Sequence, residues 1–122
     1  MDDEAIPLCN SADLAEGGLA VSFDVVHGGL TSRAFAVRFA GVPRAYLNRC
    51  SHVAMELDFR PDRFFDDSGR WLLCGGHGAV YEPASGRCAG GPCRGGLVPI
   101  ALSERDGVVR WHTAWNLQPV CA

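Results

Sequence analysis

The chain has 122 residues, 48% hydrophobic and 20% charged, the profile of one compact folded domain and not of a disordered chain. Eleven basic against fourteen acidic residues give a formal net charge of −3, a poor electrostatic match to nucleic acid. No run approaches the ~18–20 apolar residues of a membrane span, and the acidic start Met1-Asp2-Asp3-Glu4 lacks the basic-then-apolar order of a secretion signal, so a cytoplasmic protein is expected.

Fifteen Gly and seven Pro punctuate short segments and favour strands over helices. Ser11 to Glu16 is read as one helical turn. Val21, Phe23 and Val25 alternate with polar or smaller neighbours, the period of a strand. Phe35, Val37 and Phe39 alternate with Ala34, Ala36 and Arg38, which predicts a strand with one buried face. From Arg49 to Gly96 the texture changes to Gly, Cys, Pro and charge. Asp62 to Asp66, after Pro61, is read as a second helical turn. Trp71–Leu73 and Ala79–Tyr81 are read as short strands joined by a loop at 74–78. Gly86 to Gly96 reads as an irregular loop. Val98, Ile100 and Leu102 then predict one strand and Val108 to His112 another, with a hairpin turn at Asp106-Gly107 between them. The expected fold is all-β: a basal core from 1–48 and 97–122, with a loop-rich part at 49–96.

Six Cys and four His are the unusual residues. In a secreted chain they would suggest a disulfide framework; in a cytosolic one, clustered Cys and His more often mean metal. Cys50-Ser51-His52 is a C-x-H element, and Cys74-Gly75-Gly76-His77 is a C-x₂-H element. Each places a soft thiolate beside an imidazole on a tight turn, and two such loops at the tip of a sheet can converge on a metal centre.

This pattern resembles the Rieske [2Fe–2S] family. The resemblance rests on C-x-H and C-x₂-H, on Gly78 and Tyr81 after the second pair, and on the third loop Gly91-Pro92-Cys93-Arg94. It implies a Rieske-like antiparallel β sandwich or barrel with a cluster-binding subdomain. It also implies one [2Fe–2S] cluster per chain, Cys50 and Cys74 holding the inner iron and His52 and His77 the outer one. Two His in place of two Cys raise the potential to roughly −150 to +300 mV, against ~−400 mV for plant-type ferredoxins. The reason is charge: two thiolates leave the oxidised core neutral, whereas four would make it anionic and harder to reduce. A structural Cys₂His₂ zinc site is the alternative, but zinc fingers space paired ligands as C-x₂₋₄-C and H-x₃₋₅-H.

Departures from the high-potential pattern matter. Those members carry an extra Cys in each cluster loop, where this chain has Met55 and Gly76, and a Ser where it has Ala79. The loop disulfide and one hydroxyl donor to sulfur are therefore missing, which predicts a potential toward the negative end of the range. Tyr81 is read either as a donor near a Cys sulfur or as core packing. Cys88 and Cys93 either pair across the third loop or stay free thiols, the state a reducing cytosol favours. Cys9 and Cys121 take no role, His27 is read as a turn residue, His112 as packing, and Asp62, Asp66 and Asp67 as a solvated face.

The function this implies is a one-electron carrier, the ferredoxin component of a multicomponent oxygenase, with a reductase and a terminal oxygenase as redox partners. A small Rieske subunit of a nitrite reductase and a zinc-binding interaction module are the alternatives. A Rieske oxygenase would need a mononuclear iron held by two His and a carboxylate, and only His27 and His112 remain for it.

Overall fold

The structure, a computed structural model, describes residues 4–49, 63–66, 68–73, 79–91 and 95–120. In chain order, β1 (Ala5–Asn10) leads into a 3₁₀ turn at Ser11–Asp13. A meander follows of β2 (Val21–His27), β3 (Leu30–Phe39) and β4 (Val42–Leu47). Three short strands come next, β5 (Leu72–Leu73), β6 (Val80–Tyr81) and β7 (Cys88–Gly90). Finally come β8 (Pro99–Ile100), β9 (Leu102–Arg105), β10 (Val108–His112) and β11 (Leu117–Pro119). They form three sheets, ordered β1-β10-β9, β11-β2-β3-β4-β8 and β5-β6-β7. Every strand pairing is antiparallel.

Two turns explain why the hairpins form where they do. Asp106 and Gly107 have φ values of 55° and 78°, the left-handed pair that a tight hairpin needs between β9 and β10. Between β3 and β4 the pair is Ala40 and Gly41, at φ 56° and 76°. An alanine there is unfavourable by itself. The Glu16 carboxylate offsets this by accepting both backbone N–H groups, at 2.7 Å from Ala40 and 2.8 Å from Gly41.

β3 is the centre of the molecule. Ala34, Phe35, Ala36 and Val37 are all fully buried, so both of its faces are covered. The alternation of large and small residues sorts two cores, not core from solvent. Ala34 and Ala36 join Val25, Leu47, Ile100, Val109 and Trp111 in the core between the two larger sheets. Phe35 and Val37 join Tyr46, Phe64, Leu72, Ala79, Tyr81 and Leu97 in a second core on the other face. Phe35 and Phe64 stack there with ring centroids 3.8 Å apart and planes 10° apart. Arg38, next along β3, bonds Glu104 of β9 through Nη2–Oε2 at 2.6 Å and Nη1–Oε1 at 3.1 Å, and donates to the Leu14 carbonyl at 2.7 Å.

Several expectations change. The strand predicted through Val98, Ile100 and Leu102 is two strands, because β8 pairs with β4 while β9 pairs with β10. The break falls at Ala101, whose carbonyl accepts the His112 N–H at 2.9 Å. The helical turn predicted over Asp62–Asp66 is extended where described, with Phe65 bridged to Leu72. The Gly86–Gly96 segment is not wholly irregular: Cys88–Gly90 pairs with β6, and Arg87 bridges Gly96. His27 ends β2, paired with Leu30 and Leu117, instead of lying in the turn.

Candidate metal centre

The four predicted ligands, Cys50, His52, Cys74 and His77, lie outside the described residues, as do Met55, Gly76 and the third-loop residues Pro92, Cys93 and Arg94. The framework that carries them is described. β4 ends at Leu47, and Arg49 donates its N–H back to the Leu47 carbonyl at 2.9 Å, turning the chain just before Cys50. Asn48 is buried, and its N–H donates to the Arg33 carbonyl at 2.9 Å.

The small sheet is built so that its connections leave from one end. Leu73 pairs with Val80, so β5 ends level with the start of β6. Val80 also pairs with Gly90, which puts the end of β7 level with the start of β6. The segment after it returns at Gly95, whose carbonyl accepts the Cys88 N–H at 2.8 Å. On the other side of β5 the chain at 63–66 runs antiparallel to it, with the Leu73 N–H donating to the Phe64 carbonyl at 2.8 Å. Arg63, Leu73, Val80 and Gly90 thus line the same end of this sheet. The segments that carry the second Cys/His pair and the third loop start there, and the segment that carries the first pair returns there.

Behind that end the packing is dense and apolar. Phe64, Leu72, Ala79 and Tyr81 are each at most 1% exposed. Ala79 and Tyr81 follow His77 by two and four residues in the sequence, and both belong to this core. Upstream of β5, the Asp66 carboxylate accepts the Ser68 hydroxyl at 2.7 Å and the Arg70 and Trp71 N–H groups at 3.3 and 3.4 Å. Partial burial pushes the Asp66 carboxyl up, but these hydrogen bonds outweigh it and leave the group below the usual carboxylate range. The role of Asp66 is therefore local, fixing the turn that feeds β5.

Among the described residues no cluster of three or more His, Cys, Asp or Glu forms a metal site. His112 sits in β10, half-buried, with Nε2 2.9 Å from the Ser103 hydroxyl. Cys9 is a free thiol, pushed above its ordinary pKa by burial and by the nearby Asp13. Cys88 is disulfide-bonded, its partner lying outside the described residues, which corrects the free-thiol reading of this cysteine. Sequence reasoning passed over Tyr46, Gly86 and Gly96, which set the backbone of this region. Gly96 was legible only as a loop residue, yet a Cβ on it would lie 2.5 Å from the Gly86 carbonyl oxygen.

The four predicted ligands, two Cys and two His, would suit a cluster of two iron ions with different ligands. The architecture is that of the Rieske-type ferredoxins. A ferredoxin from Sphingomonas yanoikuyae B1 superposes with a TM-score of 0.70 at 21% identity, covering 91% of this chain and 100% of that one. The ferredoxin of carbazole 1,9a-dioxygenase from Nocardioides aromaticivorans IC177 gives 0.69 at 18% identity, covering 88% and 95%. The terminal oxygenase of that system gives 0.70 at 20% identity, covering 98% of this chain but 32% of the oxygenase. No curated protein sequence matches. The model of the Rieske [2Fe–2S] domain matches residues 4–102, and the chain belongs to that family. Among the described residues no helix is long and apolar enough to cross a membrane.

Proposed function

We propose that the protein is a one-electron carrier whose [2Fe–2S] cluster is held by Cys50, His52, Cys74 and His77. The observation that carries this reading is the family match across 4–102, which contains both Cys/His pairs. When bound, the cluster supplies a reversible one-electron couple. The chain's own residues do the rest. Cys50 and Cys74 supply the thiolates, and His52 and His77 the neutral imidazoles. Residues 49–96 act as the cluster-binding part on a basal core of 1–48 and 97–122. The apolar floor of Phe64, Leu72, Ala79 and Tyr81 keeps water from the protein side of the site.

The redox partners are a reductase and a terminal oxygenase. Support comes from the fold, which is shared with ferredoxins that include one of a carbazole 1,9a-dioxygenase system. The test is stepwise. The purified protein is titrated for a single-electron couple, then mixed with a ferredoxin reductase and a terminal oxygenase of this class. Reduction by the first and oxidation by the second is the expected result. A protein with no one-electron couple would overturn the carrier reading, and one that accepts electrons but passes none to an oxygenase would overturn the partner assignment.

A further inference from the structure

We propose that Tyr46, assisted by Arg44, is a positioning residue that locks the second ligand loop against the first. Both side chains leave the same face of β4, two residues apart. Tyr46 is buried, and its hydroxyl donates to the Pro83 carbonyl at 2.7 Å. Arg44 Nη1 donates to the Ala84 carbonyl at 3.1 Å, while its Nε is buried with no hydrogen-bond partner. The guanidinium is thus tucked under the turn that follows β6 and is not simply a solvated surface charge.

Gly86 completes the clamp. Its φ is +77°, and a Cβ there would lie 2.6 Å from Tyr46 Cε1, so only glycine lets the ring lie against this backbone. The turn is closed from both sides. The Gly86 N–H donates to the Glu82 carbonyl at 2.7 Å, and the Gly86 carbonyl accepts the Leu97 N–H at 2.7 Å.

The place of this clamp in the chain gives it a role beyond stability. β4 runs directly into the first Cys/His pair, and the clamped turn directly follows β6 and the second pair. The Tyr46–Pro83 hydrogen bond therefore closes a segment that contains all four proposed ligands. A contact of this kind removes conformational freedom from the closed segment. It also ties the strand that precedes the first Cys/His pair to the turn that follows the second, a fixed frame of the kind that preorganises a site on loops.

The inference rests on the proposed function only for its spectroscopic arm. Tyr46→Phe keeps the ring and removes the hydroxyl. Thr113→Val is the control: it removes the hydroxyl that accepts the Glu4 N–H at 2.8 Å, in the part of the fold away from the clamp. Hydrogen exchange is measured by mass spectrometry on each protein as purified. Tyr46→Phe should speed exchange at Gly86 and Leu97 by about five- to tenfold, the loss of one net hydrogen bond, and Thr113→Val should leave those amides unchanged. In the iron-loaded protein, Tyr46→Phe should move the EPR line positions of the reduced cluster at unchanged iron content and quicken cluster loss to a chelator. Arg44→Met should act in the same direction, and it serves if Tyr46→Phe does not accumulate. If both variants match Thr113→Val in exchange and in spectrum, the positioning role is wrong. A wild-type protein that carries zinc would overturn the proposed function, and the exchange arm would still decide the clamp.

Discussion

Phe64→Ala is the sharpest test of how the second core packs on β3. Phe64 is 1% exposed and stacks on Phe35, itself fully buried, with centroids 3.8 Å apart. Truncating a buried Phe costs about 3–5 kcal/mol through lost transfer energy and the cavity left behind. The aromatic pair adds about 0.5–1.5 kcal/mol beyond area. A domain of this size has a total stability of only about 5–15 kcal/mol, so a substantial fraction would be lost. Urea unfolding followed by tryptophan fluorescence reads this directly. With a slope of about 1–3 kcal/mol/M, the midpoint should fall by more than about 1 M at unchanged slope. Phe64→Leu keeps most of the apolar volume and should cost less than about 2 kcal/mol. The Phe64 side chain also packs with Leu72, two residues before Cys74, so loosening that contact in Phe64→Ala should hasten metal release as well. A stability change below about 1 kcal/mol would refute the reasoning, because it would mean that Phe64 does not pack on β3.

Other expected outcomes follow from single features. Gly96→Ala would set a Cβ 2.5 Å from the Gly86 oxygen and 2.9 Å from Arg87 Cα, both backbone atoms, whereas a Cβ on Gly90 meets nothing within 4 Å. Thermal unfolding should show Gly96→Ala destabilised by about 1–3 kcal/mol and Gly90→Ala close to wild type. The hydrogen bond from Arg38 holds the Glu104 carboxyl below its ordinary value of 4.5. The stabilisation from this pair is therefore present above pH 4.5 and lost as pH falls through the lower folded-state value. Glu104→Gln should cost about 1 kcal/mol near neutral pH and flatten the acid limb of the stability curve. An acid limb unchanged in the variant would remove the pair as its cause. Cys50→Ser and Cys74→Ser should each abolish the visible absorption of the iron-loaded protein, since each removes a proposed thiolate ligand. Retention of the full spectrum in either variant would exclude that residue.

The fold is legible in the sequence where a hydrophobic period or a turn pair dominates. Val21–Val25, Val108–His112 and Asp106-Gly107 are such places. β1 and β11 are not, because Ala5–Asn10 and Leu117–Pro119 show no clean alternation and each contains a proline. β4 is hidden because Pro43 and Arg44 interrupt its apolar run. The alternation along β3 has the period of a strand but does not mean one wet face. A period cannot distinguish water from a second core lined by alanine. The candidate ligands stand out in the sequence because Cys and His carry rare chemistry at tight spacing. Tyr46 and Gly86 do not, because their role is a contact across a long stretch of chain, and no local pattern marks it.

The central claim is the identity of the metal group, and iron and acid-labile sulfide analysis of the purified protein, read with its visible spectrum, tests it most directly. The expected result is two iron ions and two sulfides per chain, as the family's [2Fe–2S] cluster requires, and a red-brown protein. One zinc per chain, no sulfide and a colourless solution would contradict it.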